Sequence, residues 1–185
     1  GKMLRSSNKE LRQKRDTKKK GGWIMDDMKL RLTEYREDLK RALVEICDGG
    51  LLEELFHRDF KVQIAACEHL RERLGEHQEE LVSSIDLLFK FVVLKIWETN
   101  SQSHAEIIEL MHSMLEQLAA NDYWMTDYEA SVIMPHWVEK VGSNNPSIRS
   151  GMRNCLHKFL QIFPMSKLYT YLLDGLDSKN TRTRV

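Results

Sequence analysis

The hydrophobic residues from Leu32 onward recur at the spacing of one helix face, and no stretch shows the alternation typical of a β-strand. Polar or glycine-containing segments separate these stretches, and residues that favour helix N-caps, such as Thr126 and Asn145, precede two of them. The pattern therefore predicts an all-α protein. The predicted helices lie at about 33–47, 50–57, 60–75, 78–98, 102–120, 127–141, 146–162 and 165–176, with another beginning near Thr181.

Two loops near the C-terminal end of the sequence resemble each other. Residues 143–149 align with residues 178–184, with Ser, Asn and Arg at matching places 35 residues apart. A period of about 35 to 47 residues for two antiparallel helices is typical of HEAT or armadillo arrays. The sequence therefore predicts an α-solenoid of HEAT repeats made of antiparallel helix pairs. An all-α bundle of another topology is the alternative.

Charge is distributed unevenly along the chain, although 28 basic and 28 acidic residues cancel overall. The first twenty residues contain nine Lys or Arg and two acidic residues, which leaves an acidic remainder. One interpretation is a solvated or disordered arm, and the other is an electrostatic contact for an acidic partner. Trp23, which follows the basic block and two glycines, is either a docking anchor or a residue packed under the first helix.

Known signatures of catalysis and of ligand binding are missing from the sequence. There is no glycine-rich nucleotide-binding loop, no HExxH pair and no CxxC pair, and the apolar runs are far shorter than the roughly 20 residues that span a membrane. Apolar residues such as Leu87 and Phe91, with Trp97 just beyond, are interpreted as core between repeats. We therefore expect no enzymatic activity, no metal or other cofactor, no membrane contact and no small-molecule substrate, and the unpaired cysteines favour a cytoplasmic setting.

If the protein recognises a partner, the loops inside the helix pairs are the expected contact, because they line one edge of a solenoid and need not pack. In the first loop, Phe60 lies between Arg58 and Lys61, a combination typical of protein-binding hot spots. Phe60 packed into its own repeat is the alternative. Lys179 and Arg182, near the tip of the last loop, are further candidates for contact.

Several dispersed segments, in order, resemble TOG domains, most closely the fifth TOG domain of the metazoan microtubule polymerases. The resemblance covers about residues 33–185. It rests on the following segments: Glu54-Leu55-Phe56-His57-Arg58-Asp59-Phe60, Leu94-Lys95-Ile96-Trp97-Glu98-Thr99-Asn100, Tyr128-Glu129-Ala130-Ser131 leading to Pro135, Glu139-Lys140-Val141-Gly142, and Ser178-Lys179-Asn180.

The resemblance implies a HEAT solenoid whose loops grip αβ-tubulin. Phe60 stands where many TOG domains have a tryptophan that contacts β-tubulin. By the same resemblance, Thr99 and Asn100 in the second loop and Asn144 and Asn145 in the third face β-tubulin. Lys179 and Arg182 lie toward α-tubulin. An additional N-terminal repeat, residues 1–48 with Trp23, is implied to lie near a laterally adjacent tubulin.

The predicted organisation is a basic N-terminal arm at 1–22, which could belong to that extra repeat, followed by a C-terminally truncated HEAT-repeat TOG domain at 23–185. The predicted function is tubulin and microtubule binding within a microtubule polymerase that promotes growth and spindle assembly. Its expected location is the cytoskeleton, at microtubules, spindle and centrosome. A HEAT scaffold that binds another protein or an acidic peptide is the competing hypothesis. An RNA-binding helical repeat, which would use the basic arm, is the third, although no nucleic acid is expected as partner.

Overall fold

The computed structural model describes residues 3–18 and 25–176, and these residues form an all-α structure. Helix bounds from α3 onward follow the predicted ones closely, and the short 3₁₀ helix Leu74–Glu76 comes between α4 and α5. The predicted helix near Thr181 lies outside the described residues. The α-helices are α1 Lys9–Lys18, α2 Met25–Leu43, α3 Gly49–Leu55, α4 Phe60–Glu72, α5 Gln78–Trp97, α6 Ser101–Ala120, α7 Asp127–Lys140, α8 Pro146–Phe159 and α9 Met165–Leu176.

The helices pack in two layers, which is the arrangement of an α-solenoid. Helices α4, α6 and α8 stack side by side in one layer, and α5, α7 and α9 stack in the other. Consecutive helices α5 and α6, and likewise α7 and α8, form antiparallel pairs across the layers, while α3 packs on α4 and α2 packs on α5. The predicted fold class, an all-α HEAT-repeat solenoid, is therefore confirmed.

The hydrophobic core lies between these layers and is centred on α5. Phe89 of α5 and Trp137 of α7 are fully buried and both contact Phe159 of α8, with ring centres 6.3 and 6.4 Å apart. The indole N–H of Trp137 donates to the carbonyl oxygen of Met152 at 3.0 Å. Each fully buried aromatic or aliphatic side chain stabilises the fold by about 1.5–3 kcal/mol. Stacking of the layers therefore holds the repeats together.

Helices α6 and α8 approach each other closely at Gly151. A Cβ atom at this position would lie 2.8 Å from Cγ2 of Ile108, which is closer than side-chain carbons can pack. Nearby, the Cys155 thiol donates a weak hydrogen bond to the Ile108 carbonyl oxygen, with Sγ and O 3.9 Å apart. The absence of a side chain at Gly151 therefore sets the spacing between these two repeats.

The N-terminal part of the chain differs from the sequence-based expectation. Residues 9–18 form a helix, so the interpretation of this stretch as a disordered arm is wrong. Helix α1 packs on α5, where the Arg12 guanidinium pairs with the buried carboxylate of Asp86 at 2.7 Å. Lys90 of α5 pairs with Asp16 of α1 at 3.1 Å. Two basic residues of this block, Lys9 and Arg12, thus pair with acidic residues of their own chain.

The segment before α1 pairs with the residues that follow α2. Leu4 forms an isolated antiparallel bridge with Cys47, and both residues are buried. The predicted helix 33–47 begins close to the kink in α2 at Arg31, but it is wrong at its C-terminal end, because residues 44–46 form a turn after Leu43. The helical piece of α2 before the kink, from Met25, was not predicted. Helix α2 also contains a residue with non-helical backbone angles, Arg31. The strand-like pairing and the turn replace the last predicted helical turn.

None of the described helices combines the length and the apolar character needed to cross a lipid bilayer. Within residues 3–18 and 25–176, no three His, Cys, Asp or Glu side chains lie together as ligands for a metal ion.

Candidate functional site

Three loops lie at one edge of the solenoid, and we call residues 56–60, 98–100 and 141–145 the loop edge. They precede α4, α6 and α8, which stack in one layer, so the N-terminal ends of these helices lie together. Asp59, Asn100 and Asn145 cap the three helices, each accepting a hydrogen bond from a first-turn backbone N–H at 2.9, 3.0 and 3.0 Å. A capping side chain satisfies a backbone donor that the helix leaves unpaired. The caps therefore fix the course of all three loops.

The first loop presents the predicted combination of one aromatic residue and two cations. Arg58 and Lys61 are exposed, and Phe60, the first residue of α4, is half-buried. Phe56 is the aromatic residue of this loop that packs on the core, against Phe91 of α5 with ring centres 5.8 Å apart. Because Phe56 fills the core position, part of the Phe60 ring stays open to a partner.

A chain of polar contacts ties the first loop to the second. Gln63 of α4 donates to the carbonyl oxygen of His57 and accepts a hydrogen bond from the buried ammonium of Lys95 at 2.8 Å. Glu98 pairs with Lys95 at 3.4 Å and with Arg36 of α2 at 3.1 Å. Burial lowers the pKa of Lys95, and Glu98 offsets this effect only in part. These contacts therefore connect the two loops and α2 to one another.

A groove of about 390 Å³ separates the second loop from the third, with Trp97 in its wall. Trp97 is half-buried, and its indole N–H donates to Nδ1 of the buried His136 at 2.9 Å. Two ammonium groups face its ring, with Nζ of Lys140 4.0 Å and Nζ of Lys29 6.0 Å from the ring centre. Both lie within the range of cation–π attraction. The groove therefore combines an aromatic surface and the Lys140 ammonium group with the carboxylates of Glu98 and Glu139.

Lys140 is the more constrained of the two lysines. Burial lowers its pKa, Glu139 acts in the opposite direction, and the neighbouring charge of Lys29 lowers the pKa further. Within residues 3–18 and 25–176, Lys140 forms no ion pair with a carboxylate. A half-buried cation beside an open groove attracts an anionic group of a partner.

The structure brings seven of the ten residues proposed from the sequence to the loop edge or beside it, and three fall outside the described residues. Thr99 and Asn144 are exposed there, whereas Asn100 and Asn145 use their side-chain oxygens as helix caps. The residues at or beside the loop edge are Arg58, Phe60, Lys61, Thr99, Asn100, Asn144 and Asn145. Trp23, Lys179 and Arg182 lie outside the described residues.

Sequence reasoning missed the cluster of Trp97, Lys140 and Lys29, because Trp97 was interpreted as core. The sequence does contain a signal for Trp97 and Lys140, which is their position at the ends of helices. Trp97 ends α5 and Lys140 ends α7, and the following loops carry predicted contact residues. Side chains in the last turn of such helices lie at the same edge as the loops themselves.

Comparison with other proteins places this chain among a defined group, although no family model matches it. It is 31% identical over 171 residues to mini spindles of Drosophila melanogaster and 30% identical over 152 residues to MOR1 of Arabidopsis thaliana. These alignments cover 87% and 82% of this chain. The chain spans only 8% of the length of either relative, so it corresponds to a small part of each.

Solved structures give the same result for the fold. A TOG domain of zygote defective protein 9 from Caenorhabditis elegans superposes with a TM-score of 0.87 at 25% identity, and the match covers the whole of this chain and 69% of the other. A structure described in terms of TOG–tubulin binding specificity superposes with a TM-score of 0.86 at 25% identity, covering 75% of that chain. Both the fold and the related sequences lead to one conclusion: the chain belongs to the TOG-domain family, which includes mini spindles.

Proposed function

We propose that this domain binds αβ-tubulin through its loop edge. The observation that carries the proposal is the alignment of three capped loops along one side of the solenoid, with Arg58, Phe60 and Lys61 at one end and Lys140 at the other. Tubulin is strongly acidic, and cations along an interface raise the association rate and orient docking. A relative whose structure is described in terms of TOG–tubulin binding supports the choice of partner.

Within a longer protein, the proposed role is to deliver or hold tubulin at growing microtubules and so to promote growth and spindle assembly. This role would place the protein on the cytoskeleton, at microtubules, spindle and centrosome. It requires binding and release but no chemical step, since several tethered domains raise the local concentration of tubulin by themselves. Mini spindles and MOR1, as relatives of far greater length, fit such a multidomain arrangement.

The test is size-exclusion chromatography and sedimentation with purified αβ-tubulin at two salt concentrations. Phe60→Ala removes the aromatic surface of the first loop, and Lys61→Ala removes the adjacent exposed cation. Arg73→Ala is the matched control, because Arg73 is exposed at the opposite end of α4. We expect the first two variants to weaken binding at least about tenfold, as for other interface hot spots, and the control to bind normally.

Lys140→Met provides an independent test at the other end of the loop edge. It keeps the aliphatic length of the side chain and removes the charge, so we expect weaker binding and a smaller dependence on salt. Normal binding in all three loop-edge variants would reject this surface. Binding to another acidic protein, but not to tubulin, would instead favour a general HEAT scaffold.

A further inference from the structure

One exposed aromatic residue lies far from the loop edge. The side chain of Trp124, in the turn between α6 and α7, is 61% exposed, whereas Trp97 is half-buried and Trp137 is fully buried. The indole N–H groups of Trp97 and Trp137 donate to protein acceptors. In the described part of the chain, the indole N–H of Trp124 donates to no protein atom. A tryptophan held open in this way is typical of a docking anchor.

Backbone hydrogen bonds on both sides of Trp124 hold the turn that presents its side chain to solvent. The N–H of Tyr123 donates to the Leu118 carbonyl oxygen at 3.0 Å, and the N–H of Met125 donates to the Ile162 carbonyl oxygen at 2.8 Å. Met125 is buried, whereas its neighbour Trp124 points outward. Binding to a turn whose backbone is already held costs less conformational entropy than binding that must order the turn.

Trp124 forms one wall of a groove of about 700 Å³, which we call the Trp124 groove. It is lined by Val82 and Tyr123, together with three exposed carboxylates, Glu10, Glu79 and Asp122. None of these three carboxylates forms an ion pair with a cation in residues 3–18 or 25–176. The groove therefore joins an aromatic wall to an acidic rim.

The cation that also lines the groove does not neutralise this rim. Lys9 is buried, and its ammonium pairs with the buried carboxylate of Glu129 at 3.5 Å and donates to the Tyr123 hydroxyl at 2.5 Å. Its charge is thus balanced inside the protein. The exposed carboxylates determine the sign of the potential that an approaching partner meets.

The Trp124 groove lies at the opposite edge of the solenoid from the loop edge. Gln78, the first residue of α5, lines the groove, and Trp97, the last residue of the same helix, lines the loop-edge groove. A helix of 20 residues is about 30 Å long. A ligand in one groove therefore leaves the other accessible.

We propose that the Trp124 groove binds a peptide segment of a partner protein that is rich in Arg and Lys, with one basic side chain stacked on the indole of Trp124. The acidic rim attracts the remaining cations, and the guanidinium plane of an arginine suits stacking on an aromatic face. Nucleic acid does not fit this surface, because its phosphates would face carboxylates. The groove is thus a second interaction surface, separate from the proposed tubulin-binding edge.

The probe is a synthetic peptide in which arginine and lysine alternate with serine, and the control peptide carries glutamate in place of every cation. Each peptide is titrated into the ¹⁵N-labelled domain, and the indole N–H resonances are followed, with Trp124→Phe to assign the Trp124 signal. We expect the basic peptide to shift the Trp124 resonance with saturation and to leave those of Trp97 and Trp137 unchanged. The acidic peptide should produce no shift.

Affinities for three variants separate stacking from general charge attraction. Trp124→Ala should weaken binding of the basic peptide about tenfold, as expected for loss of a cation–π contact with its apolar area. Glu79→Gln combined with Asp122→Asn should weaken it as well, and asparagine tolerates the left-handed backbone of Asp122, whose φ is 53°. The control Tyr169→Ala removes an aromatic residue that is 58% exposed on α9 and should have no effect.

Wild-type affinity in Trp124→Ala would overturn the proposal. Equal resonance shifts with the acidic peptide would also overturn it. The same holds if the basic peptide shifts N–H resonances near carboxylates throughout the domain and the shifts do not saturate. Tubulin binding of Trp124→Ala is measured in parallel and should equal that of the wild type, since the proposed tubulin contact lies at the other edge.

Discussion

Arg12 of α1 and Asp86 of α5 form a buried bidentate ion pair, although they lie 74 residues apart in the chain. Nε of Arg12 lies 2.8 Å from one carboxylate oxygen of Asp86, and Nη2 lies 2.7 Å from the other. Burial works against the guanidinium charge, but the contacts with Asp86 raise the pKa of Arg12 overall. Leu11, the one apolar residue of α1, is exposed, so polar contacts attach this helix to the solenoid.

Arg12→Met should therefore destabilise the domain strongly. The substitution leaves Asp86, which is fully buried, without its partner, and breaking such a pair costs about 3–5 kcal/mol. Urea unfolding followed by circular dichroism measures the change. Arg15→Met, at a side chain that is 61% exposed, is the matched control and should change stability by less than about 0.5 kcal/mol. Equal effects of the two substitutions would contradict a structural role for the buried pair.

The contribution of Asp16 should depend on pH. Burial alone would raise the pKa of its carboxyl group, but Lys90 and the Tyr128 hydroxyl lower it below the ordinary value of 3.8. A lowered pKa in the folded state stabilises the fold above the unfolded pKa, and this stabilisation is lost as the pH falls through the folded pKa. Asp16→Asn should thus cost about 1 kcal/mol at pH 7. The cost should shrink steadily as the pH is lowered below about 4.

The measurement for Asp16 is urea unfolding of wild type and variant at pH 7 and near pH 3. Asp174→Asn is the control, because Asp174 is exposed on α9 and forms no ion pair within the described residues. A cost for Asp16→Asn that stays constant over this pH range would refute the linkage.

Substitutions of the adjacent residues Asn144 and Asn145 in the third loop should have different effects, one on tubulin binding and the other on the stability of the fold. Asn145 caps α8 through its side-chain oxygen, so Asn145→Ala should lower the free energy of unfolding by about 1 kcal/mol. Asn144 is exposed and caps no helix, so Asn144→Ala should leave stability unchanged and weaken tubulin binding. Thermal unfolding and sedimentation with tubulin test both variants. A stability loss in Asn144→Ala as large as that in Asn145→Ala would show that the distinction is wrong.

Gly151→Ala should push α6 and α8 apart. The added methyl group would lie 2.8 Å from Ile108, and overpacking of this kind costs about 1–3 kcal/mol. The gain in helix propensity on replacing glycine by alanine is smaller, about 1 kcal/mol. The cost of Gly151→Ala should be smaller in an Ile108→Ala background, because that substitution removes the Cγ2 methyl group of Ile108, and urea unfolding of the two single variants and the double variant measures this. A more stable single variant would show that Ile108 moves aside easily.

The three cysteines should react slowly in the folded domain. Cys47, Cys67 and Cys155 are buried, and burial raises the pKa of each thiol to about 12. The thiolate is the reactive form, so a thiol reagent at pH 8 should modify them only after local or global opening. Mass spectrometry after short exposure, with and without urea, measures this. Rapid modification of any of the three without urea would contradict the observed packing.

Local signals explain why most of the fold was predictable from the sequence. Helices from α3 onward combine apolar periodicity with caps such as Thr126, which forms a reciprocal capping box with Glu129. The loop edge follows directly, because stacked helix pairs place their inner turns on one side. Nothing local indicates how α1 is held. Its sequence carries a single apolar residue, and its partners Asp86 and Glu129 are remote in the chain.

The same distinction holds for the candidate site. Arg58, Phe60 and Lys61 are neighbours in sequence, so their combination is visible without coordinates. The pairing of Trp97 with Lys140 and Lys29 depends on three different helices that meet in space. Sequence analysis also assigned Asn100 and Asn145 to the partner, whereas their side-chain oxygens serve the helices that they precede.

The attachment of α1 has a consequence for the order of events during synthesis. Helix α1 is translated before Asp86 and Glu129, the residues that secure it. Contacts between such distant parts of a chain form late, because a long loop must close before they can be made. Helix α1 therefore lacks its first counter-charge until α5, which carries Asp86, has been made, and its second until α7, which carries Glu129, has followed. Complete attachment of α1 thus requires the chain to extend as far as α7.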